Sequence, residues 1–200
     1  MSRNRLLAAL AAPVAIASLS GCGVNSIPTA EENAKAKWAD VQAAYQRRAN
    51  LIPNLVSTVK GAAASEQNIL IGVTQARADA TKVQVTGDQL RDPAAMQRFA
   101  DAQNRVTLSL QRLQEAYPQL QSQGNFKTLM TELERSESRV NIAIRDYNEA
   151  VQSYNTTIRT FPAVVGAKII YGAKPIATYQ ATTPNAEQAP TVNFDTNTSR

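Results

Sequence analysis

The chain holds few groups capable of chemistry, and their spacing limits what they can do. Cys22 is the single cysteine and histidine is absent, which excludes a disulfide framework, a thiolate metal site and the commonest general base near neutral pH. Most hydrolytic triads need that histidine and fall with it. Glu134 and Glu137 stand one helical turn apart, as the two carboxylates of a glycoside hydrolase can. Such pairs are commonplace on solvated helix faces. The sequence has no Gly-rich phosphate loop, nucleophile elbow or metal cluster, so no cofactor is implied and a non-enzymatic reading is favoured. A sharper pattern is Tyr147-Asn148 recurring as Tyr154-Asn155, because seven-residue spacing stacks two identical pairs on one helix face. As core residues the tyrosines fill a seam and the asparagines bond to a neighbouring helix; as a binding feature they form a ladder for a partner. The core role is preferred.

Three charged residues raise a different question. Arg48, Glu66 and Glu137 occupy positions in apolar seams, and charge is rarely buried unless paired. If the first and last long helices run parallel, Glu66 comes level with Arg145, and an ion pair between them would set register. The formal charge is +5, from 21 basic and 16 acidic residues. Arg3 and Arg5 belong to the leader described below, and without them the balance is 19 against 16. The remaining signs alternate without a basic block, and aromatics make up only 6%. A phosphate-tracking surface with stacking platforms, and with it nucleic-acid binding, is therefore disfavoured.

Residues 1–21 read as a bacterial signal peptide: Arg3 and Arg5 form a positive start and Leu6 through Leu19 an uncharged apolar stretch. Leu19-Ser20-Gly21-Cys22 closes it and resembles the lipobox of bacterial lipoproteins, whose cysteine thiol receives diacylglycerol. Two or three acyl chains together hold a protein stably at a bilayer. An uncleaved transmembrane anchor is the alternative, but residues 6–21, at about 1.5 Å each, fall short of a hydrocarbon core about 30 Å thick. Gly23, where an aspartate would mark inner-membrane retention in a two-membrane bacterium, favours the outer membrane. The expected location is the cell envelope, lipid-anchored through Cys22 and facing the periplasm.

The elements that must position these groups are helices. Residues 22–30 read as lipidated cysteine and tether, with Thr29 a candidate N-cap. Spacings of three and four then run through Trp38, Val41, Tyr45, Arg48, Ile52, Leu55, Val59, Ala62, Glu66, Ile69, Val73, Ala76 and Ala80, a seam about six heptads long. Pro53 lies inside it and removes one backbone hydrogen bond. Asp92-Pro93 is an N-cap followed by a first-turn proline; the second seam is Met96, Phe99, Gln103, Val106, Leu110, Leu113 and Tyr117. The third starts near Asn125 and runs Phe126, Leu129, Leu133, Glu137, Val140, Ile144, Tyr147, Val151, Tyr154, Ile158 and Phe161. Residues 164–171 suggest a short fourth helix. The expectation is an all-α, elongated antiparallel bundle over residues 31–172, with coiled-coil-like packing of three long helices plus a short C-terminal one. Residues 173–200 read as a polar, disordered tail.

Taken together, Trp38, Tyr45-Gln46-Arg47-Arg48, Leu51-Ile52-Pro53-Asn54-Leu55-Val56, Val59-Lys60-Gly61, Glu66 and Ala76-Arg77 resemble the first helix of the LemA family. Tyr117-Pro118-Gln119-Leu120 matches the family's middle segment. Leu129, Glu137, Ala143, Arg145, Tyr147-Asn148, Val151, Tyr154-Asn155 and Phe161-Pro162 match its last long helix. The resemblance covers about residues 35–172. It implies an elongated envelope-anchored helical bundle in a family without an established molecular activity, whose members usually begin with a transmembrane helix. The lipobox departs from that pattern.

These readings converge on a membrane-anchored, non-enzymatic scaffold or adaptor for other envelope proteins. The rivals are a cryptic cell-wall or lipid hydrolase and a purely structural spacer of envelope layers. A first helix of about fifty residues would be about 75 Å long and outrun the second. Its surplus seam residues Trp38, Val41 and Tyr45 then need cover from a partner, a second copy, the membrane interface or the returning C-terminal segment.

Overall fold

In a computed structural model, residues 25–62 and 67–180 are described. Five α-helices and two short 3-10 turns account for the regular structure, with no strand among the described residues. The helices are α1 (Ser26–Ala62), α2 (Gln67–Lys82), α3 (Pro93–Ala116), α4 (Gly124–Thr157) and α5 (Ala163–Ile169). The 3-10 turns span Gly87–Arg91 and Pro118–Ser122. No helix among the described residues is long and apolar enough to cross a membrane.

The long first helix expected from its seam is two helices. Trp38 Nε1 donates to Val85 O at 2.6 Å and Arg77 Nε to Ala49 O at 2.7 Å. In one continuous helix residues 49 and 77 would lie about 42 Å apart. α2 therefore folds back along α1. The seam could not reveal the reversal, because the apolar faces of both halves point at the same core and the 3.6-residue period continues across the break. The helices run alternately up and down: α4 packs along most of α1 and α2 along α3, with Trp38 beside Tyr147 and Arg48 beside Glu137.

Local chemistry explains the ends. The Asp92 carboxylate accepts from Ala94 N at 2.9 Å and caps α3, with Pro93 in its first turn. Thr29 is not a cap: α1 begins at Ser26, and Thr29 Oγ1 donates back to Asn25 O at 2.8 Å. Ile27 is 1% exposed, so a residue assigned to the tether lies in the core. Gly87 and Gly172 both have φ +54, a left-handed backbone that glycine adopts without a Cβ penalty.

At the other terminus, residues 173–180 do not behave as a polar tail. They lie extended along the bundle with Ile176 and Tyr179 buried, and Ala177 N donates to Leu90 O at 2.9 Å. We call residues 172–180 the strap. α2 has 16 residues against 37 for α1, so it cannot cover the N-terminal part of α1. The strap, α5 and the Gly87–Arg91 turn cover that part instead. Two apolar clusters result: one around Trp38, Phe99, Tyr147 and Tyr179, the other around Ile52, Val73, Leu113 and Phe126. Residues 1–24, including Cys22 and the stretch expected to be a signal peptide, lie outside the described residues, as do 63–66 with Glu66 and 181–200.

Candidate functional site

The most elaborate polar construction lies on α4, where the Tyr-Asn repeat grips the strap. Seven residues are close to two helical turns, so both pairs face the same way. Tyr147 OH donates to Ala177 O at 2.8 Å and Tyr154 OH to Lys174 O at 3.1 Å. The Asn155 amide donates to Ile176 O and accepts from Ile176 N, both at 2.9 Å. Asn148 does the same with Tyr179, at 2.9 and 2.8 Å. Each asparagine thus pairs with an extended residue as a neighbouring strand would. All six bonds go to main chain. What selects the segment is its two inward side chains, Ile176 and Tyr179, at 4% and 3% exposure.

Tyr179 enters an aromatic pocket. Its ring centroid lies 6.2 Å from those of Trp38 and Phe99 and 6.4 Å from that of Tyr45. Edge and tilted contacts of this kind suit the ring quadrupoles. The Tyr45 and Tyr179 hydroxyls share a hydrogen bond of 2.7 Å. Burial pushes the Tyr45 hydroxyl well above its ordinary pKa, and the neighbouring Tyr179 pushes it further. Burial raises Tyr147 and Tyr179 likewise. Trp38, Val41 and Tyr45, expected as surplus seam needing cover and as a candidate partner surface, are 3%, 0% and 7% exposed. Of the covers expected, the returning C-terminal segment is the one found, together with α4, and the three residues do not form an exposed partner surface.

One turn further along α1 sits Arg48, 3% exposed. Its guanidinium meets Glu137 Oε2 at 2.7 Å, Thr107 Oγ1 at 3.1 Å, and Gln103 O and Oε1 at 3.2 and 3.0 Å. It also lies 4.9 Å from the centroid of the Tyr45 ring. Arg48 and Glu137, which the seams singled out separately, are therefore partners. Gln103, a polar residue in the second seam, is there to accept from Arg48. Arg145 is largely exposed and pairs with Asp146 and Glu149 on its own helix. The register expected to bring it level with Glu66 assumed a continuous first helix, and that helix reverses. Glu134 is exposed, and Glu137 is committed to Arg48.

Arg77 explains Pro53. A proline at 53 has no N–H for the carbonyl four residues earlier, which is Ala49, and Arg77 from α2 donates to that oxygen. Ala49 is half-buried, and leaving its carbonyl unpaired there costs about 1 kcal/mol, so the proline in α1 and the arginine in α2 form one device. Beside it, a cavity of about 320 Å³ opens between α1, α2 and α3, lined by Gln42, Gln46, Arg77, Thr81, Gln84 and Phe99 among others. Its lining contains no carboxylate, lysine or cysteine, and its one phenol is the Tyr45 hydroxyl that burial holds neutral. No cluster of three potential metal-ligating side chains occurs among the described residues.

Comparison with known proteins gives one family and one group of relatives. Residues 37–194 match the LemA family. Two magnetosome proteins of Paramagnetospirillum magneticum, MamQ 1 and MamQ 2, are each 29% identical over a stretch covering 69% of this chain. The magnetosome protein MamQ of Magnetospirillum gryphiswaldense is 28% identical over the same share. The match spans 58% of the length of these relatives.

Proposed function

The chain belongs to the LemA family, and from that premise we propose that it is a membrane-anchored, non-enzymatic helical scaffold, lipidated at Cys22, that acts as an adaptor for other envelope proteins. The observation that carries the reading is the α4 ladder. Its tyrosines and asparagines address only the main chain of an extended segment, a mode of recognition suited to peptides and not to small-molecule turnover. The strap is its resident occupant, and segments of other proteins engage the same rigid body.

Two further features support a role without catalysis. The cavity between α1, α2 and α3 lacks a group that changes protonation near neutral pH, which general acid–base catalysis requires. The charged seam residue Arg48 is fully occupied by neighbours within the bundle. The anchor reading rests on the lipobox-like quartet ending at Cys22. The relatives' names place them at magnetosomes, and anchoring of this chain in an envelope membrane is part of the proposal.

Affinity capture of the acylated protein from envelope fractions, with Cys22→Ser as the unanchored control, tests the whole. Defined proteins recovered with the acylated form and lost in the control are the expected result. Recovery of the same background from both forms would overturn the adaptor reading and favour a spacer.

A further inference from the structure

The two ends of the bundle differ in what they expose. Five of the seven exposed large hydrophobic residues among the described ones fall between residues 161 and 171: Phe161, Val165, Ile169, Ile170 and Tyr171, at 83%, 50%, 78%, 63% and 44%. α5 is built the reverse of a soluble surface helix. Its small residues Ala163, Gly166 and Ala167 face the body, while Val165 and Ile169 face out. Ordinary amphipathic packing buries the large side chains and exposes the small or polar ones. A contiguous apolar face of this kind marks a contact with something outside the molecule.

Charge and position indicate what that is. Arg159, Lys168 and Lys174 flank the apolar residues, all exposed and without an ion pair among the described residues, and the stretch 159–174 contains no acidic residue. Aliphatic and aromatic side chains ringed by unpaired cations suit the boundary of an anionic bilayer, where apolar groups enter the acyl region and Lys or Arg reach the headgroups. The same end of the bundle carries the start of α1. α4 runs antiparallel to α1, α5 packs against α1, and Ile27 shares a core cluster with Ile158, Ala163 and Ala167. From Cys22 to Ser26 is at most roughly 14 Å of extended chain.

We propose that Phe161, Val165, Ile169, Ile170 and Tyr171, with Arg159, Lys168 and Lys174, form a lipid-surface contact that seats this end of the bundle on the membrane. The apolar face is the argument for contact; its placement at the bilayer rests on the proposed anchor at Cys22. A lipid tether and a protein footprint on one end hold the bundle upright, with the Pro118–Ser122 turn pointing away. Neither alone would orient it.

The test uses the full-length acylated chain in vesicles of phosphatidylethanolamine with about a quarter phosphatidylglycerol, an anionic surface, some of the acyl chains being brominated to quench indole. The native Trp38 is buried and lies about 18 Å along α1 from Ser26, so its emission gives the baseline. Phe161→Trp is expected to lose emission in brominated vesicles, and Gln121→Trp, at the opposite end, to lose none. Adding Ile169→Glu and Ile170→Glu to Phe161→Trp removes positions with little burial to lose and is expected to abolish the loss.

The outcomes separate the contact from the anchor. If the chain sediments with vesicles but Phe161→Trp keeps its emission, or if Gln121→Trp is quenched equally, the seat on this end is overturned while the anchor stands. Quenching at Phe161→Trp in a chain whose intact mass lacks acyl groups overturns the anchor and leaves the contact. A chain with neither acyl mass nor sedimentation overturns both.

Discussion

The two apolar clusters are held together by different means. The cluster around Ile52, Leu70, Val73, Val106 and Leu113 is mostly aliphatic and is built by helices adjacent in sequence. The cluster around Trp38, Tyr45, Phe99, Tyr147 and Tyr154 is aromatic, and it is sealed by a segment 134 residues distant from Tyr45 through hydroxyl and amide bonds. Packing of aliphatic faces is non-directional and tolerates small shifts. The aromatic end instead depends on the strap arriving in one register. Separating the ends is the Arg48 node, which ties α1 to α3 and α4.

The largest expected effect at the aromatic end comes from Trp38→Ala, which removes three ring contacts and the bond to Val85 O. A loss of about 3–5 kcal/mol is expected in chemical denaturation. Leu113→Ala, at 0% exposure in the aliphatic cluster, is expected to cost about 2–5 kcal/mol. Hydrogen exchange separates the two: amides 176–179 lose protection with Trp38→Ala and keep it with Leu113→Ala. Equal loss would show that the two ends unfold as one unit and erase the contrast.

Alkali should act on the aromatic end next. Tyr45, Tyr147 and Tyr179 have pKa values raised above the ordinary 10.0 by burial. Unfolded tyrosines ionise above that value while the folded ones stay protonated, so the unfolded state gains. Stability is therefore full below pH 10 and falls as pH rises above it, approaching a slope of roughly 4 kcal/mol per pH unit for the three together. Tyrosinate absorbance from these residues should appear together with loss of helix in a pH titration; its appearance in a fully helical protein would show that the pocket is wet.

At the node, Arg48→Ala is expected to cost roughly 2–3 kcal/mol, since Gln103 and Thr107 lose a charged donor and Glu137 loses its partner. Glu137 is 43% exposed at the side chain and Arg48 only 4%, so Glu137→Ala, which leaves the guanidinium buried without its countercharge, should cost at least as much as Arg48→Ala, and the ordering of the two midpoints in urea checks the asymmetry. Asn155→Ala leaves the N–H and C=O of Ile176 unpaired, which predicts about 2 kcal/mol and faster proteolysis confined to the strap. The smallest effect is a coupling. Arg77→Ala should cost about 1 kcal/mol by orphaning Ala49 O. In a Pro53→Ala background that cost should vanish, because an N–H at 53 restores the helical bond. A double-mutant cycle without coupling would sink the device.

Much of this architecture was legible because burial follows helical periodicity. All seven residues of the second seam, Met96 through Tyr117, are buried, as are Trp38, Val41, Tyr45, Arg48, Ile52, Leu55 and Val59 of the first. Asp92-Pro93 marked the start of α3 by local cap chemistry. Phe161 continues the third seam by spacing yet lies 83% exposed, because α4 ends at Thr157 and the period stops having meaning there. The strap was missed for the converse reason: Ile176 and Tyr179 sit among Pro, Thr and Gln with no period to detect, and their burial depends on residues more than 20 positions away.

By itself the sequence determined most of the helical stretches and their apolar faces, and that the chain holds no histidine and Cys22 as its single thiol. These are local properties, set within a few turns by periodicity, caps and composition. Only the tertiary structure decided that the first seam belongs to two helices, that Arg48 meets Glu137 and Arg77 meets Ala49, and that the Tyr-Asn ladder holds a strap. Each of those pairings joins residues far apart along the chain. Their partners are chosen by which geometry satisfies every buried polar group at once, a condition on the whole fold that no local stretch of sequence states.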